Sequence, residues 1–137
     1  MSDETATGRV LSPEKLWKAD QILEDFYPQS MALGSQMANL RLKTAQARGL
    51  ESLVSATTRF SEILNFIKNQ AGKEKKKHEI IWGKIAGPML SQLEYLEEKA
   101  KDLGGGNPYE TLELKLKLAR GWVRQVVTHY LYESLDK

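Results

Sequence analysis

Between residues 42 and 72, apolar side chains recur at three- and four-residue steps: Leu50, Leu53, Val54, Thr57, Phe60, Leu64 and Ile67. A chain advancing about 100° per residue gathers such positions on one side of a helix. Arg48, Ser55, Arg59 and Phe66 fall roughly opposite, and Arg41 joins them if the helix begins early. The spacing predicts one long helix from Thr44, offered as its cap, to about Gln70, with Ala71-Gly72 as the stop. It buries one face and turns a line of arginines outward. Exposed arginines are also the ordinary dress of a solvated helix face, and that reading stands beside any role in binding.

The same period runs through the rest of the chain. Ser12-Pro13 offers a capping hydroxyl followed by a proline at the first helical position. Leu16, Ala19, Leu23 and Phe26 continue on one face until Pro28, which predicts a helix near 13–27. Met31 to Leu42 is read as a short helix or a lead-in, weakened by Gly34. Ile81, Ile85, Met89, Leu93, Leu96, Ala100 and Leu103 mark a helix over 80–103, which Pro88 should kink or restart. Asn107-Pro108-Tyr109-Glu110 is a cap, a first-position proline and a glutamate able to reach back, so the last helix is read over 108–134.

These elements predict an all-α fold, a compact bundle of four or five helices with one long central helix. The chain of 137 residues is treated as a single domain, with 1–11 flexible and 72–79 and 104–107 as connectors. The expected core includes Leu23, Leu50, Leu53, Phe60, Leu64, Leu93, Leu96, Leu116, Val123 and Val126.

The last helix is apolar over more than one face. Leu112, Leu116, Ala119, Val123, Val126 and Tyr130 form the packing stripe, and Lys117, Arg120 and Arg124 form a basic edge beside it. Leu114, Leu118 and Trp122 lie on another side. They are either buried because the helix is central or offered to another protein as an interface.

Charge and residue types narrow the chemistry. Twenty Lys and Arg against eighteen Asp and Glu give a net charge of +2, so a polyanion has to be met by a local patch. The absence of cysteine leaves no disulfide framework and no Cys-based zinc site. The opening MSDETATG is acidic and polar, and no apolar run has the length of a membrane span, so a cytoplasmic protein without a membrane partner is expected. His78 stands four residues from Glu74 and His129 four from Glu133, but two ligands do not make a metal site, and the first pair sits among lysines. No nucleophile with a base can be named. The expectation is a non-enzyme with no cofactor and no metal. Its candidate phosphate-binding residues are Arg41, Arg48, Arg59, Lys117, Arg120 and Arg124, with the cluster at 73–77 a soluble loop or an addition to them.

The opening of the predicted long helix, Leu42-Lys43-Thr44-Ala45-Gln46-Ala47-Arg48, resembles that of the small helical subunit of type III-A CRISPR effector complexes, keeping its Thr, Gln and Arg at Thr44, Gln46 and Arg48. The tail from Trp122 to Tyr130 is similar to that family's terminal helix, and Trp82 to Ala100 occupies the place of its middle helix. The likeness covers roughly residues 40 to 133 and is held at the level of a type III small subunit. It implies a non-catalytic role in antiviral defence, with several copies stacked beside backbone subunits and touching guide RNA and target RNA. A stand-alone helical adaptor gripping a partner protein through Leu114, Leu118 and Trp122 is the alternative. A helical-bundle enzyme is disfavoured by the missing catalytic set.

Overall fold

A computed structural model describes residues 11–76 and 78–135 of the chain. Five α-helices occupy nearly all of them: α1 (Pro13–Asn39), α2 (Thr44–Ala56), α3 (Phe60–Lys73), α4 (Trp82–Gly104) and α5 (Pro108–Ser134), with a 3-10 turn at Glu74–Lys76 after α3. There is no strand among the described residues. The expected flexibility of 1–11 falls, up to residue 10, outside them.

The central helix is α5, which touches each of the other four. Asn107 caps it through Oδ1, which accepts the N–H groups of Tyr109 and Glu110 at 3.0 and 3.1 Å. Helix α1 runs parallel to it, since Lys117 pairs with Asp20 and, nearer the far end, His129 meets Ser35. Helix α4 runs antiparallel to both and leads into α5 through a turn at Gly105 and Gly106, whose φ of 60° and 88° are open to glycine at little cost. Helices α2 and α3 cover the other side of α5. The core joins all five helices and includes Leu33, Leu50, Ile63, Ile85, Leu93 and Val126.

Two prolines fail to break their helices. Pro28 lies inside α1, and the segment expected as a separate element after it continues to Asn39. Pro88 lies inside α4 without a restart. Each proline removes one N–H and leaves the carbonyl four residues earlier without its helical donor. For Pro88 that carbonyl belongs to Lys84, and Gln36 Nε2 donates to it from α1 at 3.5 Å. Around Pro28, Gln125 Nε2 donates to Leu23 O at 3.2 Å and Gln92 Nε2 to Gln29 O at 3.0 Å. Gly87, directly before Pro88, lacks the Cβ that would otherwise crowd the proline ring in a helical conformation.

The single helix expected over 44–70 is broken at Thr57-Thr58-Arg59. The Thr57 hydroxyl accepts the Arg59 N–H at 3.1 Å and donates to Glu62 Oε1 at 2.5 Å, a local alternative to helical bonding that β-branched hydroxyl residues favour. The break resets the phase of the stripe. Leu50 and Val54 are buried before it and Phe60, Ile63 and Ile67 after it, whereas Leu53 and Leu64 are only half-buried. Thr44 is not the cap: Lys43 holds that position and makes no side-chain capping bond. Leu112, expected in the packing stripe, is exposed, and Leu23 is half-buried against Gly121.

Helices α1 and α5 touch backbone to backbone at Gly34, where an added Cβ would lie 2.7 Å from Val126 O and 2.9 Å from Tyr130 N. Gly34→Ala should therefore destabilise the protein by about 1–3 kcal/mol in urea unfolding, because neither backbone atom can move aside. Gly49 faces only Phe66 at 4.0 Å, and Gly49→Ala should stabilise by about 0.5–1 kcal/mol through helix propensity. Val123→Asp should prevent folding, since it places an unpaired charge among buried side chains.

Candidate nucleic-acid interface

The predicted basic residues divide by what they already hold. Lys117 Nζ lies 3.3 Å from Asp20 Oδ1 across the groove between α1 and α5. Arg120 Nη2 donates to Thr57 O at 3.1 Å, placing its cation at the carbonyl end of α2, where the helix dipole favours it. Its Nε is buried without a hydrogen-bond partner among the described residues. These two side chains serve the fold. Arg124 is exposed on the same groove, of about 520 Å³, but Asp20 and Glu113 line that groove as well, so its charges are nearly balanced. Arg48 pairs with Glu51 at 2.8 Å and Arg59 with Glu62 at 3.8 Å, both exposed bridges of the kind that contribute at most about 1 kcal/mol. Arg41 stands apart, beside a hollow of about 300 Å³ that Lys43, Thr44, Tyr130 and Ser134 also line. The six residues do not form one patch.

A different grouping emerges from the topology. Helices α1, α3 and α5 end, and α2 and α4 begin, at one end of the bundle. Arg41, Lys43, Lys68, Lys73, Lys75 and Lys84 lie in that half, and none makes an ion pair with a described residue. At the opposite end the lysines are consumed. Lys18 pairs with Glu14 at 3.2 Å, Lys101 with Glu98 at 3.4 Å, Lys115 with Glu97 at 3.1 Å, and Lys15 with Glu110, while Lys99 lies over the Tyr95 ring. That half keeps Glu24, Asp25, Asp102 and Glu113 unpaired. The molecule has a basic end and an acidic end, and the near-neutral total conceals both.

Arg41 is the one described non-glycine residue with positive φ, at 61°. It sits just past the cap of α1, where the Leu42 N–H reaches Met37 O at 3.1 Å and the Arg41 N–H reaches Ala38 O at 3.0 Å, the two bonds of a Schellman ending. Glycine usually fills this position. A left-handed arginine costs roughly 1–2 kcal/mol, and such outliers gather at functional sites.

Leu114, Leu118 and Trp122, expected as a protein interface, are each 0% exposed. Of the two alternatives the burial one holds and the interface assignment is corrected: the central position of α5 buries this third face. Apolar side chains reach solvent elsewhere. Trp17 is 62% exposed with Leu16 beside it, and the Lys15–Glu110 pair brings that helix start near Tyr109 and Leu112, also exposed.

Part of the 72–79 connector is helical or buried among its described residues. Helix α3 runs on to Lys73, and Glu74, only 8% exposed, accepts the backbone N–H groups of Ile81, Trp82 and Gly83 at 3.0, 2.9 and 2.9 Å. His78 is exposed and does not interact with it. His129 Nε2 meets Ser35 Oγ at 3.0 Å and Glu133 Oε2 at 3.6 Å. Both partners approach the same ring nitrogen, so the acid does not orient the imidazole from the opposite side as a nucleophile–base set requires. No group of three or more His, Asp or Glu side chains able to hold a metal occurs among the described residues, and no helix there is long and apolar enough to cross a membrane.

No protein-family model, curated protein or solved structure matches the chain.

Arg41→Gly should raise stability by about 1 kcal/mol, since glycine adopts the left-handed conformation freely. Thermal and urea unfolding of the two proteins measure it, and an unchanged or lowered stability would mean that the arginine side chain contributes packing not evident from its exposure.

Proposed function

We propose that this chain is a non-catalytic small subunit of a type III CRISPR ribonucleoprotein complex, acting in antiviral defence in the cytoplasm. Several copies stack beside the backbone subunits and touch the phosphates of guide and target RNA. The observation that carries the reading is the gathering of unpaired cations at one end of the bundle. Phosphates are held by such side chains without sequence preference, which suits a protein on an RNA whose sequence is specified by pairing. The helix opening at Thr44, Gln46 and Arg48, on which the family resemblance rests, lies at this same end.

The opposite end suits the stacking. Unpaired carboxylates and the exposed ring of Trp17 there complement lysines and arginines of a neighbouring subunit, through ion pairs and cation–π contacts. Each copy contributes a weak RNA contact, and the stack multiplies it through effective concentration. The adaptor alternative has lost its proposed face, because Leu114, Leu118 and Trp122 are internal.

Binding of a single-stranded RNA should fall steeply with added salt and vary little with sequence. An Arg41→Glu, Lys43→Glu, Lys84→Glu variant, first checked for folding by circular dichroism, should lose most of it, and Arg48→Glu with Arg59→Glu a smaller part. Arg41→Gly should bind more weakly while melting higher. Reconstitution of the complex with and without the protein decides the wider reading: full target-RNA binding in its absence, or RNA binding untouched by the triple reversal, would sink it.

A further inference from the structure

Glu74 is the one acidic side chain buried in the segment that carries the lysines of the basic end. By charge alone it is misplaced, because a carboxylate beside Lys73, Lys75 and Lys84 lowers the potential a phosphate would meet. Its geometry gives it another use. Helix α4 begins at Ile81 without a side-chain cap of its own, and Ile81 adopts a helical conformation there instead of the extended one usual for a capping residue. Glu74 supplies the missing acceptors from seven, eight and nine residues upstream: Oε1 takes the N–H groups of Ile81 and Gly83, and Oε2 that of Trp82. Gly83 faces this carboxylate, with Oε1 3.9 Å from where a Cβ would stand.

We infer that Glu74 is a positioning residue for polyanion binding: it closes the segment between α3 and α4 so that Lys73 and Lys75 are held beside Lys84 at one end of the bundle. The inference rests on the proposed RNA contact at that end. Without the three hydrogen bonds, Phe66 still packs on Trp82 and holds α3 against α4, but the turn at Glu74–Lys76 loses its tie to the start of α4, and Lys73 and Lys75 separate from Lys84. The carboxylate opposes phosphate through its charge and favours it through its bonds. The two contributions have opposite signs, which makes them separable.

The test compares the full chain with Glu74→Gln and Glu74→Ala, using single-stranded RNA and dextran sulfate as probes. Glutamine keeps the Oε1 acceptor for Ile81 and Gly83 and loses the one for Trp82; alanine loses all three. Both remove the same charge. Positioning predicts that affinity falls from wild type to glutamine to alanine, by about three- to tenfold for alanine, the effect of losing roughly one phosphate contact. Hydrogen exchange at the amides of 81–83 should quicken in the same order, with the α5 amides unchanged as a check that the fold persists. Equal or tighter binding by both variants, the outcome expected of charge alone, would overturn the role of Glu74 and leave the RNA reading intact. If the wild type binds dextran sulfate in the graded order but not RNA, the positioning role stands and the RNA reading falls. If it binds neither probe, both fall.

Discussion

Two tryptophans are fully buried in the bundle, and while the Trp82 indole N–H has no partner among the described residues, that of Trp122 is given to Gln92 Oε1 at 2.8 Å. The same Gln92 donates through Nε2 to Gln29 O at 3.0 Å. One amide thus satisfies an indole in α5 and a carbonyl in α1 from a position on α4, and the three long helices share one polar tie. Its value lies in what its loss leaves behind, since an unpaired buried donor costs about 1–3 kcal/mol. The tie also sits one residue past Pro28, where α1 is least able to hold itself together. Gln36 and Gln125 act in the same manner, each giving its amide to a carbonyl near a proline. Glutamine is well suited to this, because it is long enough to cross between helices and carries no charge to desolvate.

The electrostatic layout follows from where pairing is possible. Around the starts of α1 and α5 and the end of α4, acids and lysines lie within reach of one another, and most of the lysines are neutralised locally. At the other end, Glu74 is turned inward and Glu133 is directed at His129, which leaves Glu79 as an exposed carboxylate among the lysines. The surrounding lysines and Arg41 are left facing solvent. With a screening length near 8 Å at physiological salt, about the reach of one side chain, the two ends act separately on whatever approaches them.

Much of the fold is legible because it rests on local signals. The Asn107-Pro108 start, the glycine turn before it and the helical stripe of α4 all involve residues within a few positions of one another. The errors have tertiary causes. Pro28 and Pro88 read as breaks because what holds their helices comes from other helices: Gln36 donates to the Lys84 carbonyl that Pro88 leaves free, and Gln125 and Gln92 bond carbonyls on either side of Pro28. The continuity of 44–70 failed on a hydroxyl that prefers Arg59 and Glu62 to a helical turn, a preference that Thr57-Thr58 hints at but does not require. The candidate site was less legible. Charged residues on one helix face could be grouped by spacing, but whether Lys117 meets Asp20, or Arg120 the end of α2, depends on the packing of helices far apart in the chain. The choice between burial and exposure for Leu114, Leu118 and Trp122 likewise depends on how many neighbours α5 has.

The helix on which all the others pack is also the one synthesised after them. Until α5 has left the ribosome, α1 has no partner for its Gly34 face, the link between α1 and α2 has no Tyr130 to bond Leu42 O, and α4 has no Trp122 for Gln92. The preceding helices emerge with their apolar stripes open to solvent and to other proteins. Closure joins the first helix to the last over nearly the whole chain, a long-range step unusual for an all-helical domain, whose contacts are mostly local. A chain stopped short of residue 108 therefore has no centre to fold around.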